Sequence, residues 1–210
     1  MTHHTIFLDW DGTLCTDRFW QTWQAPGNPH YHTFRTIENH IFARPEYANA
    51  WMRGAMTTED IVHKLPDDLP VSKNAIFEHL IESAQSMRFS HPSVPGLLAR
   101  LRLQGHRLVI ATDNMDTFPR WTVPALGLDR HIDGILDSHT LRSLKRDPNH
   151  QGTSAFFGPY LDQYNLHPGQ TLLIDDSADT AAAARSWGIN TIHIERGGLT
   201  PILQGLLKEI

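Results

Sequence analysis

The sequence predicts an α/β chain in which a parallel sheet is sandwiched by helices and an all-helical segment is inserted after the first strand. Three observations predict it. Apolar runs at residues 6–8, 108–111 and 172–174 each end abruptly in polar residues, as buried strands do where they leave a sheet. From Pro92 onward helix-like and strand-like stretches alternate, a pattern that calls for parallel strands joined by crossover helices. Residues 15–91, by contrast, are rich in aromatic, histidine and polar residues and contain no convincing strand.

Taken in order, residues 5–8 form the first expected strand. Breakers mark residues 25–29 as a loop. Helices are expected at residues 33–43, ending before Pro45, and at 58–65, opened by the cap candidates Thr57 and Thr58 and stopped by Pro66. In the helix expected at residues 72–89, Ile76, Phe77, Leu80, Ile81 and Ala84 form one apolar face. Residues 95–104 read as a helix closed by Gly105, and 107–111 as a strand running into Thr112, Asp113 and Asn114. A helix at 117–126, distorted by Pro124, precedes a strand at 132–136. A helix at 154–164 has its start delayed by Gly158-Pro159. A strand at 171–174, a helix at 181–187, a strand at 191–194 and a helix at 202–208 complete the chain. The expected division is a core of residues 1–14 and 92–210 and an all-helical insertion of residues 15–91.

Length and composition narrow the function. The chain has 210 residues, 20% charged and 40% apolar, an ordinary globular balance. A net charge of -5 supplies no basic field for nucleic acid or an anionic membrane, so neither is an expected partner. The single Cys15 excludes an internal disulfide framework and a Cys-rich zinc site. No apolar run approaches a membrane span, and Met1 to His4 lead into a strand without the features of a secretion signal, so the expected location is cytoplasmic.

The chemistry concentrates at the strand exits. Asp9 and Asp11 flank Trp10 and precede Gly12; extended backbone would turn both carboxylates to one side. Two unit charges about 4 Å apart at an effective dielectric near 20 repel by roughly 4 kcal/mol, which a cation or a proton must offset. A solvated Asp-Gly turn is the plainer alternative for this segment alone. In a parallel sheet, however, the exits of all three apolar runs lie on one edge, so Asp9, Asp11, Thr112, Asp175 and Asp176 converge. Such an oxygen-rich, thiol-free set suits a hard cation, magnesium first. Lys145, in the loop after the strand at 132–136, could supply a fixed positive charge.

The order Asp9-Trp10-Asp11-Gly12-Thr13, Thr112 after an apolar strand, a lysine, then Ile174-Asp175-Asp176 resembles the haloacid dehalogenase superfamily in its phosphatase form. The match covers roughly residues 4–24 and 92–195. The resemblance implies a Rossmann-like sheet with a helical cap of the first type, Mg2+ as cofactor and a small phosphorylated metabolite as substrate. It also implies that Asp9 attacks phosphorus to give an aspartyl-phosphate and that Asp11 protonates the leaving oxygen while its backbone carbonyl ligates the metal. Asp176 would be a direct metal ligand, and Asp175 a nearby ligand or an acceptor behind it. Thr112 would hold the phosphoryl oxygens and Lys145 would neutralise charge during transfer. The chain departs from the pattern in two places: Arg146 follows the lysine where proline is common, and the stretch to Asp176 is slightly long, suggesting an insertion near residues 149–153.

Other residues read more plainly. Asp179 suits a helix N-terminus rather than a ligand position, His30, His32 and His40 lack a metal-binding pattern, and Cys15 is a small packed residue. Trp20, Trp23 and Trp51 pack between cap helices more readily than they line a pocket. A dehalogenase is disfavoured because Asp11 is present. A phosphomutase, a phosphonate hydrolase using Lys64 or Lys73, a non-catalytic regulatory protein on the same scaffold and a response-regulator receiver are the competing readings.

Overall fold

The computed structural model describes residues 5–208. The expectation that Met1 to His4 carry no secretion signal concerns residues outside those described. The first strand, β1 (Thr5–Leu8), is buried along its whole length. It pairs on one side with β2 (Arg107–Thr112) and on the other with β4 (Thr171–Asp175). Outside these lie β3 (Gly134–Asp137) and β5 (Asn190–His193), giving the order β3-β2-β1-β4-β5 with every pair parallel.

Period-two alternation explains the two covered faces. Ile6 and Leu8 share one apolar cluster with Leu108, Ile110, Leu172 and Ile174, under helix Val94–Leu103 and helix Leu199–Leu206. Phe7, Val109, Ala111 and Leu173 point the other way, into a cluster with Phe156, Phe157 and Tyr160 around helix Gly158–Gln163 and with Ala184 of helix Ala178–Ser186. Both sheet faces are therefore consumed by packing, and chemistry is left to the edge. Leu8 is level with Ile110 and Ile174, so the residues that follow each strand emerge together.

The chain leaves the sheet after Leu14 and returns beside it. Ser90 N donates to the Leu14 carbonyl at 2.7 Å, and Ser90 Oγ donates to the Thr13 carbonyl at 3.0 Å. Between these points lie helices Tyr31–Ile37, Pro45–Met52, Thr58–His63 and Lys73–Ser86, with a π-helical turn at Glu38–Phe42. They enclose their own apolar cluster, including Trp20, Trp23, Trp51, Ile76 and Leu80, joined by Met115 from the loop after β2. The three tryptophans are buried there, as the packing reading expects. Of the two cap candidates, Thr57 is the N-cap and accepts from Asp60 N; Ser72 caps helix Lys73–Ser86 in the same way, accepting from Ala75 N.

Some boundaries differ from expectation. Pro45 opens a helix instead of only stopping one, because its missing N–H falls on the first helical turn. The distortion in residues 117–126 is a π-helical turn at Phe118–Thr122, with Val123 N bonded to the Phe118 carbonyl, and it precedes Pro124. Helix Ala178–Ser186 starts three residues earlier than its apolar pattern, since Ser177 accepts from Thr180 N at 3.3 Å. The four-residue helix Ser138–Leu141 carries too little pattern to be read and is held by the Asp137 side chain, which accepts from Thr140 N. Among the described residues no helix is long and apolar enough to cross a membrane.

Candidate active site

The register of β1, β2 and β4 delivers Asp9, Thr112 and Asp175 to the same edge, and Asp9 N continues the ladder by bonding to the Ile174 carbonyl at 3.0 Å. There Asp9, Asp175 and Asp176 bring one carboxylate oxygen each within 4.8 Å of one another. Lys145 Nζ donates to Asp9 Oδ1 at 2.7 Å and to Asp175 Oδ2 at 2.6 Å. A lone loop lysine is ordinarily solvated, yet Lys145 is only 3% exposed. Its backbone N is fixed by Asp113 Oδ1 at 2.8 Å, so Asp113 aims the loop that carries the lysine.

The extra residues after Lys145 do not displace it. Asn149 N donates to the Thr153 carbonyl at 2.7 Å, Asn149 Oδ1 accepts from Gln151 N and Thr153 N, and Pro148 bridges to Ser154. The insertion thus closes on itself as a side loop. Arg146, the departure beside the lysine, points to Asp179 at 3.3 Å on the first turn of helix Ala178–Ser186.

The electrostatics follow from burial. Loss of water pushes the Asp9 carboxyl up to about 8; Lys145 opposes the rise, and Asp175 and Asp176 add to it. Burial also works against the Lys145 charge, but Asp9, Asp175 and Asp113 outweigh it and hold the ammonium above its ordinary value. Asp176 is raised by burial and then by Asp175 and Asp11. Fully ionised, the three carboxylates against one ammonium would leave two negative charges, the deficit that a divalent cation matches. Asp175 already accepts from Lys145 and from Ser177 N, whereas the Asp176 carboxylate accepts no hydrogen bond among the described residues and meets Arg196 only at 3.9 Å. The donor set is therefore hard and oxygen-only, which fits magnesium.

Gly12 sets the approach of Asp176. Its φ is +83°, and a Cβ at that position would lie 1.8 Å from Asp176 Oδ2. Only a residue without a side chain admits the carboxylate there.

Asp11 is placed otherwise than the extended reading implied. β1 ends at Leu8 and the chain turns through Trp10, so Asp9 is buried while Asp11 is exposed. The Asp11 carboxylate stands outside the three-acid group and accepts from Arg196 Nη2 at 2.7 Å. Arg196 also donates to the Thr16 carbonyl at 3.1 Å, and Gly197 N donates to the Gly12 carbonyl at 2.7 Å. Sequence reasoning passed over Arg196; its position just beyond β5, at the edge where the acids gather, was the available signal. Thr112 lies where expected, fully buried, with Oγ1 lacking a hydrogen-bond partner among the described residues. A buried hydroxyl left unpaired is costly and suits a site that binds oxygen-bearing ligands. Cys15 is buried and burial pushes its thiol up to about 12, the behaviour of a packed residue.

Beside the acids opens a cavity of about 300 Å³. Trp10, Asp11, Asp113, Asn114 and Met115 line it from the strand exits and the loop after β2, and residues of the helical segment line the rest.

A parallel sheet with acids, a buried lysine and a cavity at its carboxyl edge defines an α/β protein that works at that edge. The chain belongs to the haloacid dehalogenase-like hydrolases, whose family model matches residues 3–188. It is similar to (S)-2-haloacid dehalogenase 4A of Burkholderia cepacia, 22% identical over 156 residues, and the match covers 74% of this chain and 63% of that protein's length. Among solved structures it resembles a HAD family enzyme of Bacteroides thetaiotaomicron in complex with magnesium and inorganic phosphate, at a TM-score of 0.73 and 16% identity, covering 95% of this chain and 98% of the other. It also resembles L-2-haloacid dehalogenase of Xanthobacter autotrophicus with chloropropionic acid covalently bound, at a TM-score of 0.64 and 14% identity, covering 92% and 78%. At these identities the structural likenesses establish a common fold.

Proposed function

We propose that this hydrolase is a magnesium-dependent phosphatase acting on a small phosphorylated metabolite through an aspartyl-phosphate. The observation that carries the reading is the group of buried Asp9 and Asp175 and half-buried Asp176 with Lys145 bonded between the first two, short of two positive charges when all three acids are ionised. Asp9 and Asp176 would hold the ion directly, with Asp175 fixed behind them by Lys145 and Ser177. The ion would neutralise the carboxylates and the charge of the phosphoryl group.

In this reading Asp9 attacks phosphorus, and the oxygen-bound leaving group departs as an alcohol. Lys145 stays bonded to Asp9 and offsets charge on the transferring group. The unpaired Thr112 hydroxyl donates to a phosphoryl oxygen. Asp11 gives its proton to the leaving oxygen and then takes one from the attacking water, after exchanging its contact with Arg196 for the substrate. Residues 15–91 act as a cap over the core formed by 1–14 and 92–210, controlling access. A single reduced thiol fits a cytoplasmic setting.

A second reading, hydrolysis of a 2-haloacid, is favoured by the similarity to the Burkholderia cepacia dehalogenase and by the largely apolar walls of the cavity. A halide leaves carbon without being protonated, so that reaction gives the Asp11 acid no task; ester oxygen does need a proton. Purified protein offered acetyl phosphate with magnesium, and separately (S)-2-chloropropionate, decides between the two. Magnesium-dependent phosphate release that Asp9→Asn abolishes supports the phosphatase; halide release without phosphate release installs the second reading.

A further inference from the structure

We infer that the cavity takes a phosphate monoester whose organic part is apolar and ring-bearing, in preference to a sugar or other polyol phosphate; this rests on the phosphatase reading above. The cavity adjoins the acids through Trp10, Asp11 and Asp113, and its volume of about 300 Å³ accommodates one small organic group. Phe19, Phe34, Phe42, Met52, Met87 and Met115 make up most of the remaining wall. Aromatic faces and thioethers hold ring carbons by contact and offer nothing to a hydroxyl.

Several of the polar side chains that line the cavity already spend part of their hydrogen-bonding capacity on neighbours. Gln24 Nε2 donates to the Phe19 carbonyl at 3.2 Å, Glu38 Oε2 accepts from Arg35 at 2.6 Å, and Asp17 Oδ2 accepts from Arg88 N at 2.8 Å. Asn114 Oδ1 accepts from Met115 N at 2.9 Å. Arg18, the cation lining the cavity, is exposed to water. Against a wall that is mostly aromatic and thioether, a polyol would give up its water and regain fewer partners, a loss that falls on each hydroxyl left unpaired. An apolar ring gives up nothing of that kind.

The test is binding of two non-hydrolysable phosphonates to the full-length protein with magnesium, by titration calorimetry. 3-Phenylpropylphosphonate presents a ring, and 3,4-dihydroxybutylphosphonate presents two hydroxyls on a similar frame. The expected result is at least tenfold tighter binding of the phenyl compound, with the ratio falling threefold or more in Met52→Gln, a half-buried position. Equal affinities, a preference for the diol or binding of neither compound overturns the inference. Acetyl phosphate, which is too small to use the cavity walls, reports separately on the phosphatase reading: its turnover together with equal phosphonate affinities rejects the substrate class and keeps the activity. Failure to turn it over rejects the activity, while the phosphonate ratio still decides what the cavity accepts.

Discussion

Lys145 Nζ and Asp9 Oδ1 lie 2.7 Å apart although the two residues are 136 positions apart in sequence, and both side chains are almost fully buried. Removing one member of such a pair leaves the other charge without water or partner. Lys145→Met is therefore expected to destabilise the metal-free protein by about 3–5 kcal/mol. Urea denaturation in chelator measures the loss, and added magnesium should restore part of it, because the ion supplies the missing positive charge.

The same burial makes the site sensitive to pH. Asp9 is raised in the folded protein from 3.8 to about 8, first by loss of water. An acid raised on folding lends stability that is complete below its unfolded pKa and is lost as pH rises through the folded one. Metal-free protein should accordingly lose this contribution between about pH 4 and 8. Magnesium requires the carboxylate, so its affinity should change in the opposite sense, increasing as pH rises toward 8 with release of a proton. Calorimetry in buffers of different ionisation heat counts that proton.

Gly12→Ala tests the approach of Asp176 to the first loop. The new Cβ would fall 1.8 Å from Asp176 Oδ2 at a residue with φ of +83°. The carboxylate must move away, and magnesium affinity should drop at least tenfold by titration while far-ultraviolet circular dichroism stays unchanged.

Asp116 ties the helical segment to the loop after β2. It accepts from Trp51 Nε1 at 2.7 Å, from Thr58 Oγ1 at 2.5 Å and from Arg120 Nη1 at 2.7 Å, and it is 3% exposed. Asp116→Ala leaves buried donors unpaired and should cost about 3 kcal/mol by chemical denaturation. Amide exchange in helices Pro45–Met52 and Thr58–His63 should accelerate with it.

The sheet and the acidic edge were legible because strands buried on both faces leave continuous apolar runs, and each run here stops in a polar residue at the same edge. Lys145 was legible as a charge, and its burial was not, because that depends on Asp113 holding its backbone from a loop 32 residues away. Whether Asp11 shares the side of Asp9 depends on how far the extended backbone runs, which the residues alone do not fix; β1 ends at Leu8 and the chain turns at Trp10. Arg196 was not legible because a single arginine after a short strand has no pattern of its own, and only the fold brings it to Asp11. The helix at Pro45–Met52 was hidden by a proline whose stop and start meanings are the same letter.

The central claim is that Asp9 bonds to phosphorus. Rapid quenching in acid after mixing the protein with magnesium and phosphorus-32-labelled acetyl phosphate tests it most directly. The account predicts protein-bound label that hydroxylamine releases, as it does from acyl phosphates, and none in Asp9→Asn. Label that persists in Asp9→Asn, or steady turnover with no labelled protein at any quench time, would contradict it.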